Sequence, residues 1–202
     1  MTRTRTKNET KRKQILDAAT QLFTEQGYAA TSMDLIAKIS DVSKQTVYSH
    51  FGNKEELFAA AITQKCHENQ FDVLSEVELT NPYETLLAIA QRFFALISSK
   101  EALAVHRICA FESKTYPQLS ALFYQAGPEK LIDEMTKLMV RISNLAEYQI
   151  ANPNHAAVQF VSMIKGEAWC RLELNLAETL STQEVAEYLE NSVQFFLRGY
   201  RA

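Results

Sequence analysis

The sequence has 202 residues, of which 47% are hydrophobic and 22% are charged, as in an ordinary globular protein. It contains no apolar stretch of the roughly 18 residues that a membrane-spanning helix needs, and the charged N-terminus lacks the apolar segment of a secretory signal, so we expect a cytoplasmic protein. The net charge of −3 is unevenly distributed: residues 1–65 carry 10 basic and 7 acidic side chains, whereas residues 66–202 carry 11 and 17, which favours a polyanionic partner for the N-terminal part.

The first predicted elements are helices. Only 5 glycines and 4 prolines interrupt the chain, and no run alternates apolar and polar residues as a strand would. A first helix is predicted over 11–26, where apolar residues recur at helical spacing and Gly27 follows as a helix-ending residue. Thr31 is placed to cap a short second helix that ends at Ser40 and Asp41.

The next elements complete a recognisable motif. A third helix is predicted, capped by Ser43 and ended by Gly52. Asn53 and Glu56 then have the spacing of a capping box and start a fourth helix, which we expect to continue to about Leu74. Two short helices joined by a tight turn and preceded by a longer helix form the helix-turn-helix arrangement.

The rest of the chain is predicted to be helical as well. Prolines and polar caps mark the starts of further helices, which we place at about 82–98, 101–114, 117–126, 128–145, 153–176 and 182–198. The sequence therefore predicts an all-α fold of about nine or ten helices. An N-terminal three-helix helix-turn-helix domain with a basic arm is expected over 1–53, and a larger helical ligand-binding and dimerisation domain over 54–202.

The third predicted helix carries polar groups suited to DNA. Val47 and Phe51 are four residues apart and are predicted to face the core of the small domain. Lys44 suits guanine or phosphate, and Gln45 suits a bidentate contact with adenine. Hydroxyl groups, helix N-termini and the basic N-terminal arm suit phosphate oxygens. The predicted DNA-binding residues are Thr31, Ser43, Lys44, Gln45, Thr46, Tyr48, Ser49, His50, Lys54, Arg3 and Arg5.

Residues 31–54 resemble the signature of the TetR/AcrR-type transcriptional regulators. The matching positions, with two just upstream and one just downstream, are Gly27, Tyr28, Thr31, Ile36, Ala37, Val42, Ser43, Thr46, Val47, Tyr48, His50, Phe51, Lys54 and Leu57. The turn departs from the pattern, because Ser40 and Asp41 stand where the family usually has Ala-Gly; an aspartate tolerates the left-handed conformation better than most residues. Gln45 stands where a small residue is frequent, and we expect it to alter which bases are contacted.

Two later stretches, 111–128 and 160–169, are similar to the C-terminal domain of the AefR-like branch of that family. The resemblance implies a homodimer, a palindromic operator in double-stranded DNA and a ligand pocket in the C-terminal domain. We therefore expect a repressor that a small apolar or amphipathic molecule releases from its operator.

The residues themselves also suggest a dimer and a pocket. The last two helices carry more apolar residues than one buried face requires, which predicts a second face packed on another copy of the chain. The predicted interface residues are Val158, Val161, Met163, Trp169, Leu172, Tyr188, Leu189, Phe195 and Phe196. Large apolar groups mixed with polar ones are typical of small-ligand cavities, and the candidate lining residues are Phe94, His106, Arg107, Phe111, Tyr124 and Trp169. Burial of both helix faces within one chain, and plain core or surface roles for the lining residues, are the alternatives.

Other functions have less support in the sequence. Cys66, Cys109 and Cys170 are far apart, so we predict small buried hydrophobes rather than a disulfide or zinc site, and we expect no metal or cofactor. The main alternative function is a ligand-independent or architectural DNA-binding protein of the same fold. An all-α enzyme is another, but the sequence lacks a His-Glu-x-x-His motif and a glycine-rich phosphate loop, so we expect no enzymatic activity.

Overall fold

The structure is a computed structural model that describes residues 7–176 and 180–202. Within these ranges the secondary structure consists of ten α-helices, one 3₁₀ turn at Leu74–Glu76 and no β-strand, which confirms the all-α prediction. The helices are α1 (Lys7–Ala30), α2 (Met33–Ile39), α3 (Lys44–Phe51), α4 (Lys54–Glu68), α5 (Pro82–Ile97), α6 (Lys100–Phe111), α7 (Pro117–Ala126), α8 (Pro128–Ser143), α9 (Pro153–Glu173) and α10 (Thr182–Gly199).

Polar caps start the later helices where the sequence predicts them. The side-chain oxygen of Asn81 accepts a hydrogen bond from the backbone at the start of α5, and that of Asn152 does the same for α9. Ser181 and Glu184 form a reciprocal capping box at the start of α10. The fourth helix is shorter than predicted: α4 ends at Glu68 instead of near residue 74, because the chain turns with Gln70 at φ +57°.

The helices group into two compact units. The first contains Met1–Lys65 and Lys100–Gly127, and the second contains Cys66–Ser99 and Pro128–Ala202. These units do not coincide with the sequential domains predicted over 1–53 and 54–202, because α6 packs against α1 and α7 packs against α6 within the first unit. Adjacency along the chain therefore does not decide which helices share a core.

The core of the first unit forms around an aromatic cluster. One face of α1 is fully buried, and the Phe23 ring lies 5.3 Å from Phe58 of α4 and 5.7 Å from Tyr28. Gly27 has φ +82°, a conformation that glycine adopts without steric cost, so it interrupts the helix where the sequence predicts an end. The Tyr28 ring is thereby brought against Phe58 and against Tyr116, the residue that precedes α7.

The core of the second unit lies between α5, α8, α9 and α10. Its centre is built from side chains with no exposed surface, among them Leu86 of α5, Leu138 of α8, Ile164 of α9 and Val193 of α10. Burial of this kind contributes on the order of 1.5–3 kcal/mol to the free energy of unfolding for each large aliphatic side chain, so the packing of these four helices stabilises the second unit.

Helix α9 is broken at Gly166, which the sequence-based prediction of one continuous helix did not anticipate. Gly166 has φ +53°, and a Cβ atom there would lie 2.6 Å from the Tyr188 ring of α10. The Tyr188 hydroxyl donates a 2.7 Å hydrogen bond to the backbone carbonyl of Met163, one turn before the break. A side chain from α10 thus occupies the space that the missing Cβ leaves and satisfies a carbonyl near the break.

No helix in the described part of the chain is both long and apolar enough to cross a membrane. Among residues 7–176 and 180–202, no three His, Cys, Asp or Glu side chains come together as a metal site would require.

Candidate nucleic-acid interface

The start of α2 differs by one residue from the prediction. Ser32 is the N-cap, and its side chain accepts a 3.1 Å hydrogen bond from the backbone N–H of Leu35. Thr31, which was predicted to cap the helix and to contact phosphate, is buried instead, and its hydroxyl donates to the Gly27 carbonyl at 2.8 Å. The exposed hydroxyl at this helix N-terminus therefore belongs to Ser32.

The turn between α2 and α3 accommodates its departure from the family pattern. Asp41 has φ +53°, as the prediction of a left-handed turn residue requires. Ser40 is buried, and its hydroxyl donates a 2.6 Å hydrogen bond to the Ile36 carbonyl, so the added polar atom is satisfied inside the protein. The turn thus holds a left-handed residue and a satisfied buried hydroxyl in place of the usual alanine and glycine.

Helix α3 is capped and anchored as predicted. The Ser43 side chain accepts a 3.1 Å hydrogen bond from the backbone N–H of Thr46, and the two hydroxyl groups lie 2.7 Å apart. Val47 and Phe51 are buried on one face. Gly52, at φ +64°, ends the helix. The eight residues of α3 therefore form a short helix that packs on the core of the first unit through Val47 and Phe51.

The opposite face of α3 is open to solvent. Gln45, Tyr48 and Ser49 are exposed and His50 is half-buried, as the prediction of a polar outer face requires. The Ser49 hydroxyl donates to the Thr46 carbonyl at 2.9 Å, which leaves its lone pairs available to an external donor. This face presents an amide, hydroxyl groups and an aromatic ring along two helical turns.

Lys44 is the basic group at the start of this face, and it is engaged within the protein. Its ammonium lies 2.7 Å from Oδ1 and 2.9 Å from Oδ2 of Asp34, which is on α2. The hydrogen bond and the charge of Asp34 raise the pKa of Lys44 above its usual value. Sequence analysis did not identify Asp34, because a separation of ten residues across a turn gives no periodic signal.

Lys54 has a structural environment rather than the open position expected of a phosphate contact. Its ammonium donates to the carbonyls of Tyr28 at 2.8 Å and Thr31 at 2.9 Å, and it lies 4.0 Å from the centre of the Tyr28 ring. Burial lowers the pKa of this lysine. These contacts tie the start of α4 to the chain between α1 and α2, and the DNA contact predicted for Lys54 stays a prediction.

The basic residues that precede and begin α1 are the next candidates. Arg3 and Arg5, which are predicted to contact DNA, lie outside the described residues. Arg12 of α1 was not among the predicted residues, yet its guanidinium lies 5.0 Å from the centre of the Phe51 ring at the end of α3. A basic side chain of α1 thus lies over the ring of Phe51, at the end of α3, a contact that only the fold reveals.

Comparisons with known proteins decide the family. Residues 15–61 match the model described as bacterial regulatory proteins, tetR family, and residues 84–202 match the C-terminal domain of AefR-like transcriptional repressors. The chain belongs to the TetR family. Both parts of the predicted resemblance are thereby confirmed, and the protein is a DNA-binding transcriptional regulator.

Transcriptional regulators that are similar to this chain match it over different lengths. The chain is 28% identical to the Bacillus subtilis regulator YvkB over 192 residues, which cover 94% of this chain and 97% of YvkB. The match to the Bacillus subtilis regulator YhgD is 44% identical but covers 36% of this chain and 38% of YhgD, and the match to HbdR of Aromatoleum covers 43% of that regulator.

Solved structures support the same family. A TetR-family regulator from Mesorhizobium loti MAFF303099 is 27% identical, with a TM-score of 0.80 over 98% of this chain and 100% of that one. The flavonoid-responsive regulator FrrA is 33% identical, with a TM-score of 0.73 over 95% of this chain and 97% of its own.

The predicted dimer residues of this TetR-family chain fall into three groups. Leu189 and Phe196 are buried in the core of the second unit, where the Phe196 ring packs 5.1 Å from Phe160, so they are not available to a partner. Phe195 is 71% exposed and Val158 is 43% exposed, despite their apolar character. The remaining candidates are half-buried: Val161, Met163, Trp169 and Tyr188 pack against that core, and Leu172 is also half-buried.

The predicted pocket residues are divided between the two units. His106, Arg107, Phe111 and Tyr124 belong to the first unit, and Phe94 and Trp169 belong to the second. Phe111 and Tyr124 are exposed, whereas Phe94 is buried in the core. The His106 ring lies 6.1 Å from Phe123, and the Lys165 ammonium lies 5.0 Å from the centre of the Trp169 ring.

The three cysteines are free thiols and differ in burial. Cys109 is buried as predicted, and this burial raises the pKa of its thiol to about 12. Cys170 is exposed and Cys66 is partly buried, which corrects the prediction that all three are buried hydrophobes.

Proposed function

We propose that the protein is a homodimeric repressor that binds a palindromic operator through α3 and is released by a small apolar or amphipathic ligand. The observation that supports the DNA contact most strongly is the exposed polar face of α3 on a capped, core-anchored helix. An α-helix fits the major groove of B-DNA, where base edges present a distinct pattern of donors and acceptors for each base pair.

Each exposed group on α3 has a role in this proposal. Gln45 contacts adenine with its amide, and Thr46 and Ser49 offer hydroxyl groups to bases or phosphates. Tyr48 donates its hydroxyl to the phosphate backbone. The N-terminal backbone N–H groups of α2 and α3 support phosphate binding, with Ser32 taking the role that the sequence assigned to Thr31.

Dimerisation supplies the affinity that one helix-turn-helix lacks. A single module contacts too few bases and phosphates, whereas two modules related by a two-fold axis bind half-sites one or more DNA turns apart. The exposed apolar side chains of Phe195 and Val158, on α10 and α9, favour these helices as the isologous interface.

Release by a ligand fits the packing of the first unit. The ring of Tyr116, the residue that precedes α7, contacts the ring of Tyr28. The backbone carbonyl of Tyr28 accepts a hydrogen bond from the ammonium of Lys54, at the start of α4. A ligand that displaces α6 or α7 would therefore act on the same core that supports α3. The flavonoid response of FrrA suggests planar aromatic compounds as the first effectors to screen.

DNA binding is tested by fluorescence anisotropy with duplexes that the wild-type protein selects from a randomised library. We expect salt-sensitive, sequence-specific binding that Tyr48→Ala weakens by about tenfold or more, because a phosphate contact is lost. Tyr124→Ala removes an exposed tyrosine from α7 and serves as the matched control, with unchanged affinity. The proposal that α3 contacts the bases would be contradicted if the wild-type protein bound all duplexes with equal affinity, or if Tyr48→Ala and Tyr124→Ala bound the selected duplex with equal affinity.

The dimer interface is tested by analytical ultracentrifugation. Phe195→Glu places a charge on the proposed interface and is expected to give monomers, because burying an unpaired charge is strongly unfavourable. Phe111→Glu changes a phenylalanine that is 83% exposed on α6 and is expected to remain dimeric. A wild-type monomer, or two variants with equal dimer stability, would contradict the proposed interface.

A ligand-independent or architectural DNA-binding protein of the same fold is the second candidate. This alternative predicts DNA affinity that no compound in a panel of flavonoids, fatty acids and aromatic acids changes. The repressor proposal predicts that at least one compound lowers affinity and raises the melting temperature of the free protein. In either case the protein acts where chromosomal DNA is, which agrees with the expected cytoplasmic location.

A further inference from the structure

The ion pair between Asp34 and Lys44 lies on the surface of α2 and α3 that faces DNA in the proposed function. Asp34 is the second residue of α2, and Lys44 is the first residue of α3. Both carboxylate oxygens lie within 2.9 Å of the ammonium, and the two side chains are 64% and 59% exposed. The Lys44 ammonium also lies 5.9 Å from the centre of the Tyr48 ring, so it is held between α2 and the exposed face of α3.

This geometry determines what DNA meets first. Lys44 is the only lysine or arginine of α3, and its charge is compensated before any contact with DNA occurs. A phosphate or guanine oxygen that approaches the ammonium therefore competes with a carboxylate whose two oxygens already contact it. The displaced carboxylate then stays close to the DNA backbone and repels it.

Exposed ion pairs contribute little to stability, so the pair is not required to hold α2 and α3 together. The helices are joined independently by their buried residues, such as Ile36 and Val47, and by the buried turn residue Ser40. Asp34 also lies in the first turn of α2, where a negative charge favours the helix dipole, so its effect on folding and its effect on binding have to be measured separately.

We propose that Asp34 is a specificity-determining residue, which withholds Lys44 from DNA of arbitrary sequence. Non-specific complexes obtain essentially all of their affinity from phosphate contacts and counterion release. Such complexes are weakened when Asp34 neutralises the charge of Lys44 and when its own carboxylate lies near the phosphates. A specific complex also has base contacts from α3, and these hold Lys44 next to a guanine or phosphate that can replace Asp34. This inference rests on the proposed function, because it requires α3 to enter the groove.

The test compares two DNA probes at a series of salt concentrations. The first probe is a duplex that the wild-type protein selects from a randomised library, and the second is a 30-bp duplex of the same composition in shuffled order. Asp34→Asn keeps the size of the side chain and removes its charge, and Asp34→Ser provides a second neutral variant. Asp133→Asn removes the same charge from an exposed position on α8 of the second unit and is the matched control.

We expect Asp34→Asn to raise affinity for the shuffled duplex by about tenfold near 0.1 M salt, and to steepen the logarithmic salt dependence by about one for each subunit. Affinity for the selected duplex rises less, so the ratio between the two probes falls. In a Lys44→Gln background the same substitution has a much smaller effect, because the lysine that it frees is absent. Asp133→Asn leaves both affinities and both slopes unchanged.

Three results would overturn the inference. The first is an unchanged salt dependence for the shuffled duplex in both neutral variants. The second is an equal effect of Asp34→Asn with and without Lys44, which would assign the effect to charge alone. The third is a loss of affinity for the selected duplex only, which would make Asp34 a residue that orients Lys44. A wild-type protein that selects no duplex would instead refute the proposed function and is distinguishable from all three.

Discussion

Replacement of Lys54 by methionine tests whether this residue supports the fold or contacts DNA. The substitution keeps the aliphatic stem and removes the ammonium that bonds two backbone carbonyls and faces the Tyr28 ring. The Tyr28 carbonyl retains a 3.2 Å hydrogen bond from the backbone N–H of Thr31, whereas the Thr31 carbonyl has no second protein donor in the described part of the chain. The loss is therefore concentrated on one carbonyl and one ring.

The magnitude follows from these contacts. A hydrogen bond to a charged group contributes about 1.5–3 kcal/mol, and a cation–π contact about 0.5–2 kcal/mol, while removal of a partly buried charge recovers some desolvation. We expect Lys54→Met to lower the free energy of unfolding by about 2–4 kcal/mol. For a chain of this size the melting temperature then falls by roughly 4–16 °C, measured by circular dichroism.

Lys38→Met is the control, because Lys38 is an exposed lysine in the last turn of α2. A change of less than about 0.5 kcal/mol is expected for it, as for most surface substitutions. The reasoning is refuted if Lys54→Met melts with the wild type but loses DNA affinity as Tyr48→Ala does. That outcome would restore the phosphate contact that the sequence predicted for Lys54.

Three further predictions concern the helices and a surface ion pair. Gly166→Ala is expected to lower the free energy of unfolding by about 3 kcal/mol in urea titrations, because it combines a positive φ with a clash against Tyr188. Ser43→Ala removes the cap of α3, so it costs about 1 kcal/mol of stability in the same titrations and weakens DNA binding measured by anisotropy. His67 and Asp72 pair at 2.6 Å, which raises the pKa of His67 and lowers the pKa of Asp72. The ion pair is therefore lost as pH rises through the raised pKa of His67, or as pH falls through the lowered pKa of Asp72. In Asp72→Asn, NMR titration should show the pKa of His67 falling toward its ordinary value.

Matched variants separate these effects from general damage. A methyl group added at Gly199 would meet no neighbouring atom within 4 Å, so Gly199→Ala should leave stability almost unchanged. Ser181→Ala removes the equivalent cap from α10 and should lower stability without the loss of DNA affinity seen for Ser43→Ala. Equal effects at the two glycines, equal DNA affinities of the two cap variants, or a His67 titration unaffected by Asp72→Asn would contradict the respective explanation.

Local signals in the sequence predicted much of the fold. Gly27, Asp41 and Gly52 all have positive φ at the positions where a helix end or turn was expected. Ser43 and Asn53 cap the helices that they were predicted to cap, because capping depends on only four consecutive residues. Adjacent hydroxyl groups limit this reasoning, since Thr31 and Ser32 are both good caps and only packing placed the first in the core.

Long-range contacts were outside the reach of local patterns. The pairing of Lys44 with Asp34 and the burial of the Lys54 ammonium depend on how helices cross, which no spacing along the chain encodes. The apolar residues of α10 illustrate the same limit. Phe195 and Phe196 are neighbours of one chemical type, but one is 71% exposed and the other is buried. The pattern of apolar and polar residues identifies α10 as a helix, but it does not show which face of the helix each side chain lies on.

Footprinting of the duplex that the protein selects from a randomised library tests the central claim most directly. The proposed dimer, with α3 in the major groove, predicts two protected segments of related sequence, arranged as a palindrome with centres about 34–36 Å apart or a multiple of that distance. Methylation of guanine N7, which lies in the major groove, should block binding within both segments. A single protected segment, protection without sequence preference, or insensitivity to major-groove methylation would contradict the account.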